Sequence, residues 1–342
     1  MPRPMPTIST WSRAEGTLAA LQQAGRGVAK PILLVKSGGE AAVAEWQGHF
    51  AACAPGVEVR WWEDATVAPE DVRYVLVWDP EPGRIARFRN LRVIFGAGAG
   101  VDLITCDPDL PKDVPLMRMA TEGAAQRLGE FVCWSVLSLL RGARRIALQQ
   151  VARDFTYFDG QSLATETTVG VMGLGHMGAQ AAMMLRGLGF RVIGWSRTAK
   201  SVPGVEGFVG AEARDAFLAR SNILVCLLPS TPETNGILAK PLFDALPQGA
   251  GLVNVGRGAH QKIDDIIAAL DSGQLSGAVL DVFETEPLPA DHLIWTHPKA
   301  IVTPHLASLP TRRERAEHVA RAIAAHERGE ALRNLYDHDR GY

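Results

Sequence analysis

A short stretch in the middle of the chain, Val169-Gly-Val-Met-Gly-Leu-Gly-His-Met-Gly178, limits what this sequence can fold into more than any other. An apolar run of strand character ends in glycines spaced GxGxxG, and a helix-forming run follows directly. Such glycines recur by chance. Their weight here comes from the strand before them, the helix after them and the βα series they head. The three glycines serve different ends. Gly173 makes the tight turn, Gly175 lets a pyrophosphate approach the backbone, and Gly178 permits close packing of helix on strand. The backbone N–H groups of Leu174, Gly175, His176 and Met177, at the start of the helix, are then the phosphate donors. A dinucleotide site is the expectation; a plain Gly-rich turn is the alternative.

The surrounding elements agree with it. Strands at 169–172, 191–194, 223–228, 251–254, 278–282 and 300–302 alternate with helices at 177–187, 212–220, 240–245 and 263–270, the inventory of a complete dinucleotide-binding domain. A second α/β series precedes it, with strands at 32–35, 57–61, 74–78 and 93–95 and a helix at 41–52. A helix at 126–148, apolar almost all round near Phe131–Leu140, lies between the two series. Length points the same way, since 342 residues suit two domains and a remainder. The fold class is α/β: two Rossmann-like, doubly wound parallel-sheet domains with a cleft between them. The charge run Arg312-Arg-Glu-Arg315, in a closing amphipathic helix at 311–329, reads as a solvated face.

Composition removes several classes. A net charge of −2 and a pI near 6.5 lack the electrostatic footprint of a nucleic-acid or anionic-membrane binder. No apolar run approaches the roughly 20 residues that cross a bilayer. The cysteines Cys53, Cys106, Cys133 and Cys226 show no CxxC and no partnering His, which fits a reducing cytosol and no metal site. A cytoplasmic protein is expected. Residues 1–30 read as an N-terminal extension without a secretory apolar region. In it Ser12-Arg-Ala-Glu15 matches a capping box ahead of a helix stopped at Gly25, with a transit peptide as the alternative.

The end of the next strand, Trp195-Ser-Arg-Thr198, narrows the cofactor. An acidic residue there would accept the ribose 2′-OH of NAD and repel a 2′-phosphate. None is present. Ser196 and Thr198 offer hydroxyls and Arg197 and Lys200 cations, so NADP is expected ahead of NAD, with NADPH preferred over NADH. Three further polar groups stand just beyond strands of the same series. Arg257 lies in Asn254-Val-Gly-Arg-Gly258, Glu286 in Asp281-Val-Phe-Glu-Thr-Glu-Pro-Leu-Pro289, and His305 in Thr303-Pro-His305. Ligands of an open α/β sheet collect outside the carboxyl ends of its strands, so these groups can converge. A guanidinium clamps a carboxylate or polarises a carbonyl. An imidazole protonates a developing alkoxide, and a carboxylate beside it orients it. Together they describe hydride transfer to a 2-keto acid, although each alone has a plain reading as a loop or packed residue. Asp281, at the same rim, either accepts from a nicotinamide carboxamide or caps the loop.

These stretches, with Leu228-Pro-Ser-Thr-Pro-Glu-Thr234, occur in the order and spacing of the D-isomer-specific 2-hydroxyacid dehydrogenase family, which the chain resembles over residues 31–342. Phe95-Gly-Ala-Gly-Ala-Gly-Val-Asp102, Trp195-Ser-Arg-Thr198, Leu270-Asp-Ser-Gly273 and Arg340-Gly-Tyr342 make it similar, more narrowly, to the glyoxylate/hydroxypyruvate reductase A branch. The resemblance implies that Arg257 holds the substrate carboxylate and carbonyl, that His305 is the proton donor, and that Glu286 pairs with it. It also implies that Ala99, Gly100 and Val101 present N–H groups to the carboxylate. Trp46 would reach the substrate, unless it is a core side chain. Leu228, Pro229 and Thr234 would line the adenosine side, with Val255 and Gly256 near the nicotinamide. The implied organisation is a substrate domain at 31–120, completed by 306–342, around a dinucleotide-binding domain at 121–305 through which a homodimer forms. The implied substrates are small anionic 2-keto acids, glyoxylate to glycolate and hydroxypyruvate to D-glycerate. Another D-2-hydroxy acid such as D-lactate, or a non-catalytic dinucleotide sensor, are the alternatives. The chain departs from many relatives at Gln261-Lys262, where they carry Val-Asp.

Overall fold

The structure, a computed structural model, describes residues 30–158, 162–338 and 341. Residues 1–29 of the N-terminal extension, with its expected helix, lie outside them, as do Arg340 and Tyr342. The described residues form two compact units. One takes the chain up to Ala120 together with Pro310–Gly341; the other is Thr121–Leu309.

The first unit is built on β1 (Ile32–Lys36), β2 (Glu58–Trp61), β3 (Val72–Val77), β4 (Val93–Gly96) and β5 (Leu116–Met117). They form a parallel sheet in the order β2-β1-β3-β4-β5. Crossovers cover both faces of such a sheet, so its strands read as continuous apolar runs; β3 is buried at every position except Arg73. The helices Val43–Cys53 and Arg312–Glu327 pack on one face. From the second of these, Ala316, Val319, Ala320 and Ile323 join Leu33, Trp46, Phe50 and Tyr74 in one core. That helix begins with a reciprocal capping box between Thr311 and Glu314. Its charge run is not wholly solvated: Arg315 is half-buried and donates to Ser37 Oγ (3.3 Å), and Arg312 pairs with Glu45 (2.5 Å). Beyond β3, burial pushes the Glu81 carboxyl up, but hydrogen bonds from Lys36 Nζ (2.6 Å) and Trp62 Nε1 (2.7 Å) outweigh it and hold the group down to about 2.

In the second unit β6 (Thr168–Met172), β7 (Arg191–Ser196), β8 (Glu206–Val209), β9 (Ile223–Cys226), β10 (Ala250–Asn254), β11 (Leu275–Leu280) and β12 (Ala300–Val302) form a seven-stranded parallel sheet. The order is β12-β11-β10-β9-β6-β7-β8, so the winding reverses between β6 and β9, the switch point where a doubly wound sheet opens a ligand crevice. β8 is not expected from the sequence because Glu-Gly-Phe-Val is a mostly exposed edge strand without an apolar run. The single helix expected at 126–148 is two, Glu122–Leu140 and Ala143–Ala152, divided at Gly142 with φ 64°. The unit continues past His305, where its end is expected. Asp281 accepts the N–H groups of Leu306 (3.0 Å) and Ala307 (2.9 Å), and Ser308 Oγ donates to the Ala124 carbonyl (2.8 Å). Large apolar side chains stand out in water at the end of the second of these helices and just beyond it: Val151 (84 % exposed), Phe155 (89 %) and Tyr157 (86 %). Among the described residues no helix is long and apolar enough to cross a membrane.

Candidate active site

The chain leaves β6 through Gly173 at φ 99°, where an added Cβ would stand 2.7 Å from the Leu227 carbonyl oxygen. The helix His176–Gly187 has no side-chain cap, so its first N–H groups lack partners within the helix. Space lies in front of them, since an added Cβ on Gly175 meets nothing within 4 Å. At Gly178 a Cβ would be only 1.8 Å from the Gly173 carbonyl oxygen, so helix and turn are in direct contact. Open room before uncapped amides fits a pyrophosphate. Leu174 turns its side chain into the core beneath Gly194, Met177 packs on the same core, and His176 lies 4.0 Å from Glu122.

At the end of β7, Trp195 Nε1 donates to the Gly210 carbonyl (2.8 Å) and Ser196 Oγ to the Thr198 carbonyl (2.8 Å). The Ser196 proton expected to serve a phosphate is thus used inside its own loop. Arg197, Thr198 and Lys200 are exposed. Hydrogen bonding from Thr231 holds the Glu233 carboxyl below its usual range, and the charge of Arg197 adds to the effect. In the same loop Leu228 is buried and Thr234 Oγ1 donates to the Pro229 carbonyl (2.7 Å).

Arg257, Glu286 and His305 follow three neighbouring strands, β10, β11 and β12. His305 Nδ1 lies 2.7 Å from Glu286 Oε2, and Glu286 Oε1 accepts the Phe283 N–H (2.8 Å). His305 sits at φ 51°, a left-handed conformation uncommon outside glycine, and its N–H donates to the Asp281 carbonyl (2.8 Å). The Asp281 side chain, 1 % exposed, also takes the Thr303 hydroxyl (2.6 Å) besides the Leu306 and Ala307 amides. Of its two readings, these bonds carry the loop cap. A carboxylate has about four lone-pair directions, so room for one more donor remains.

The Arg257 turn rests on residues that the sequence alone does not assign to the site. Asn254 Oδ1 accepts the Gly256 N–H (3.2 Å), and its Nδ2 donates to the Arg257 carbonyl (3.1 Å) and to Gln261 Oε1 (3.0 Å). Gln261 Nε2 donates to the Val282 carbonyl (3.0 Å). His260, fully buried, accepts the Arg257 N–H at Nδ1 (3.1 Å), which leaves the proton on Nε2, 3.1 Å from the Pro229 carbonyl. The turn also abuts the next loop, because a Cβ on Gly258 would lie 1.9 Å from the Phe283 backbone. Val255 is buried below the turn, and Arg257 Nη1 donates to the Gly256 carbonyl (2.7 Å). Under it, burial pushes the Cys226 thiol up to about 12. The available signals were an Asn closing an apolar strand and the departure at Gln261.

In the first unit the backbone N–H groups of Ala99, Gly100 and Val101 find no acceptor among the described residues, while the Val101 side chain is buried. Trp46 is corrected: its ring is fully buried in this unit's core and its indole N–H donates to the Ser37 carbonyl (2.9 Å), so it braces the end of β1 instead of facing a ligand. No group of three or more His, Cys, Asp or Glu that could hold a metal ion occurs among the described residues.

Residues 133–307 match the family described as D-isomer specific 2-hydroxyacid dehydrogenase, NAD binding domain. The chain is 39 % identical over 303 residues to glyoxylate/hydroxypyruvate reductase A of Serratia proteamaculans, a match covering 87 % of this chain and 96 % of that protein. Among solved structures it is similar to a D-isomer specific 2-hydroxyacid dehydrogenase from Xanthobacter autotrophicus Py2 in complex with NADPH and MES. There the identity is 39 % and the TM-score 0.85, over 92 % of this chain and 100 % of that one. It is likewise similar to an NADPH-dependent glyoxylate/hydroxypyruvate reductase from Sinorhizobium meliloti in complex with NADP and sulfate, with 38 % identity and a TM-score of 0.83 over the same shares. This chain belongs to the D-isomer specific 2-hydroxyacid dehydrogenase family, a family of oxidoreductases.

Proposed function

We propose that the chain is an NADPH-dependent reductase of small 2-keto acids, converting glyoxylate to glycolate and hydroxypyruvate to D-glycerate. The observation that carries this is the His305–Glu286 pair, 2.7 Å apart at the carboxyl rim of the parallel sheet, next to the Arg257 turn. The Serratia relative is named for these two substrates, and the Xanthobacter and Sinorhizobium structures hold NADPH and NADP.

The amides from Leu174 to Met177 hold the pyrophosphate, and Arg197, Thr198 and Lys200 take the 2′-phosphate. Bound there, the reduced nicotinamide supplies the hydride. The rest falls to side chains of this protein. Arg257 grips the substrate carboxylate and draws electron density from the neighbouring carbonyl. Glu286 takes the Nδ1 proton of the His305 imidazolium into a hydrogen bond, which fixes the ring and makes Nε2–H the proton delivered to the oxygen that becomes the hydroxyl. The amides of Ala99, Gly100 and Val101 are suited to a small carboxylate.

A panel of keto acids assayed with NADPH and NADH in parallel tests this. Loss of NADPH absorbance with glyoxylate and hydroxypyruvate, faster than with NADH, is the expected result. Turnover confined to pyruvate or bulkier keto acids would reassign the substrate, and NADPH binding without any turnover would make the chain a sensor. The same reading includes a homodimer, in which a second copy covers the exposed Val151, Phe155 and Tyr157.

A further inference from the structure

We propose that Gln261 is a positioning residue that ties the Arg257 turn to the loop bearing Glu286, and thereby sets the geometry of the Glu286–His305 pair. This rests on the reading of those three side chains as the reacting groups. Gln261 follows the short helical turn Gly258–His260 and precedes the helix Ile263–Ser272. It is a primary amide, 4 % exposed, with both ends engaged: Oε1 by Asn254 Nδ2 (3.0 Å) and Nε2 by the Val282 carbonyl (3.0 Å). Burying such a group is costly unless its partners are in place, so its directions are determined by them and theirs by it.

The contacts form one continuous line. Asn254 gives one N–H to the Arg257 carbonyl and the other to Gln261. Gln261 gives its own to the Val282 carbonyl. That carbonyl and the Phe283 N–H are the two ends of a single peptide group, which is planar. The N–H end donates to Glu286 Oε1 (2.8 Å), and Glu286 Oε2 meets His305 Nδ1 (2.7 Å). Holding the peptide at its oxygen therefore aims the N–H that seats the carboxylate. Donation into the carbonyl also polarises the peptide and strengthens that N–H as a donor. A side chain that merely filled space would do neither.

Gln261→Val and Gln261→Met separate the two roles, with folding followed by thermal melting. The deciding signal is the low-field Nδ1 proton of His305, assigned by its loss in His305→Gln. In the folded variants this resonance is expected to move or broaden, and kcat for glyoxylate to fall by about tenfold or more, while KM for NADPH stays within about twofold. An unmoved resonance, or an unmoved kcat in an enzyme that turns over keto acids, overturns the proposal and leaves Gln261 a structural residue. If the parent protein turns over no keto acid, the functional reading fails by itself and the resonance still decides the role of Gln261. If neither variant folds, exchange of the Gln261 carboxamide protons in the unsubstituted protein decides: slow exchange supports the bridge, and fast exchange overturns it.

Discussion

His305→Gln keeps a side chain that can bond Glu286 but removes the transferable proton. It is expected to lower kcat by about 10²–10⁴-fold with NADPH affinity unchanged, as read by steady-state kinetics and a fluorescence titration. Arg257→Lys keeps the charge and loses the planar fork, so kcat/KM for glyoxylate should fall at least about tenfold; a loss within twofold would remove the guanidinium from substrate binding. That Glu286 and His305 meet beyond neighbouring strands, with Arg257 following a third, was foreshadowed in the sequence, because each lies just past a strand-like run. Side-chain partners were not. Asp281 is visible as an acid at a strand end, yet nothing in its spacing says that Thr303, Leu306 and Ala307 will face it. Trp46 gave the opposite lesson, since its helical position allowed either a ligand contact or a place in the core, and packing chose the core. The bridge of Asn254 and Gln261 rests on contacts to backbone groups of other loops, which local patterns do not encode.

The elements divide by how apolar they are. Buried central strands announced themselves, whereas β8 and β5, one exposed at an edge and one only two residues long, did not. The glycine turn between β6 and the helix His176–Gly187 allows a paired test. Gly178→Ala forces a methyl group against the Gly173 carbonyl oxygen, so the helix must lift from the turn and both melting temperature and NADPH affinity should drop. Gly175→Ala meets no protein atom, so stability should hold while NADPH affinity falls. Should both variants lose stability equally, the space before Gly175 is not the phosphate seat. In the other sheet, Glu81 ties the ends of β1 and β2 together. Its carboxyl is lowered from 4.5 to about 2, so the stabilisation it provides is complete above pH 4.5 and disappears as pH falls through 2. Glu81→Gln should flatten the acid-unfolding curve in that window, measured by circular dichroism; an unchanged slope would show the ion pair to be inert.

At the scale of the whole molecule, the exposed aromatics make the oligomer testable. Phe155→Ser with Tyr157→Ser should convert a dimer to a monomer in sedimentation, and a wild-type monomer would refute the homodimer. The path of the chain has a different implication, for synthesis. It enters the second unit at Thr121 and returns to the first only at Pro310. Ala316, Val319, Ala320 and Ile323, which close the core over Leu33 and Tyr74, therefore emerge from the ribosome after the whole of the second unit. The continuous second unit can close beforehand, while the earlier strands wait with one face covered only by the helix Val43–Cys53. Birth order and completion order are inverted, and a nascent chain stalled before Arg312 carries a first unit whose core is still open where the helix Arg312–Glu327 will pack.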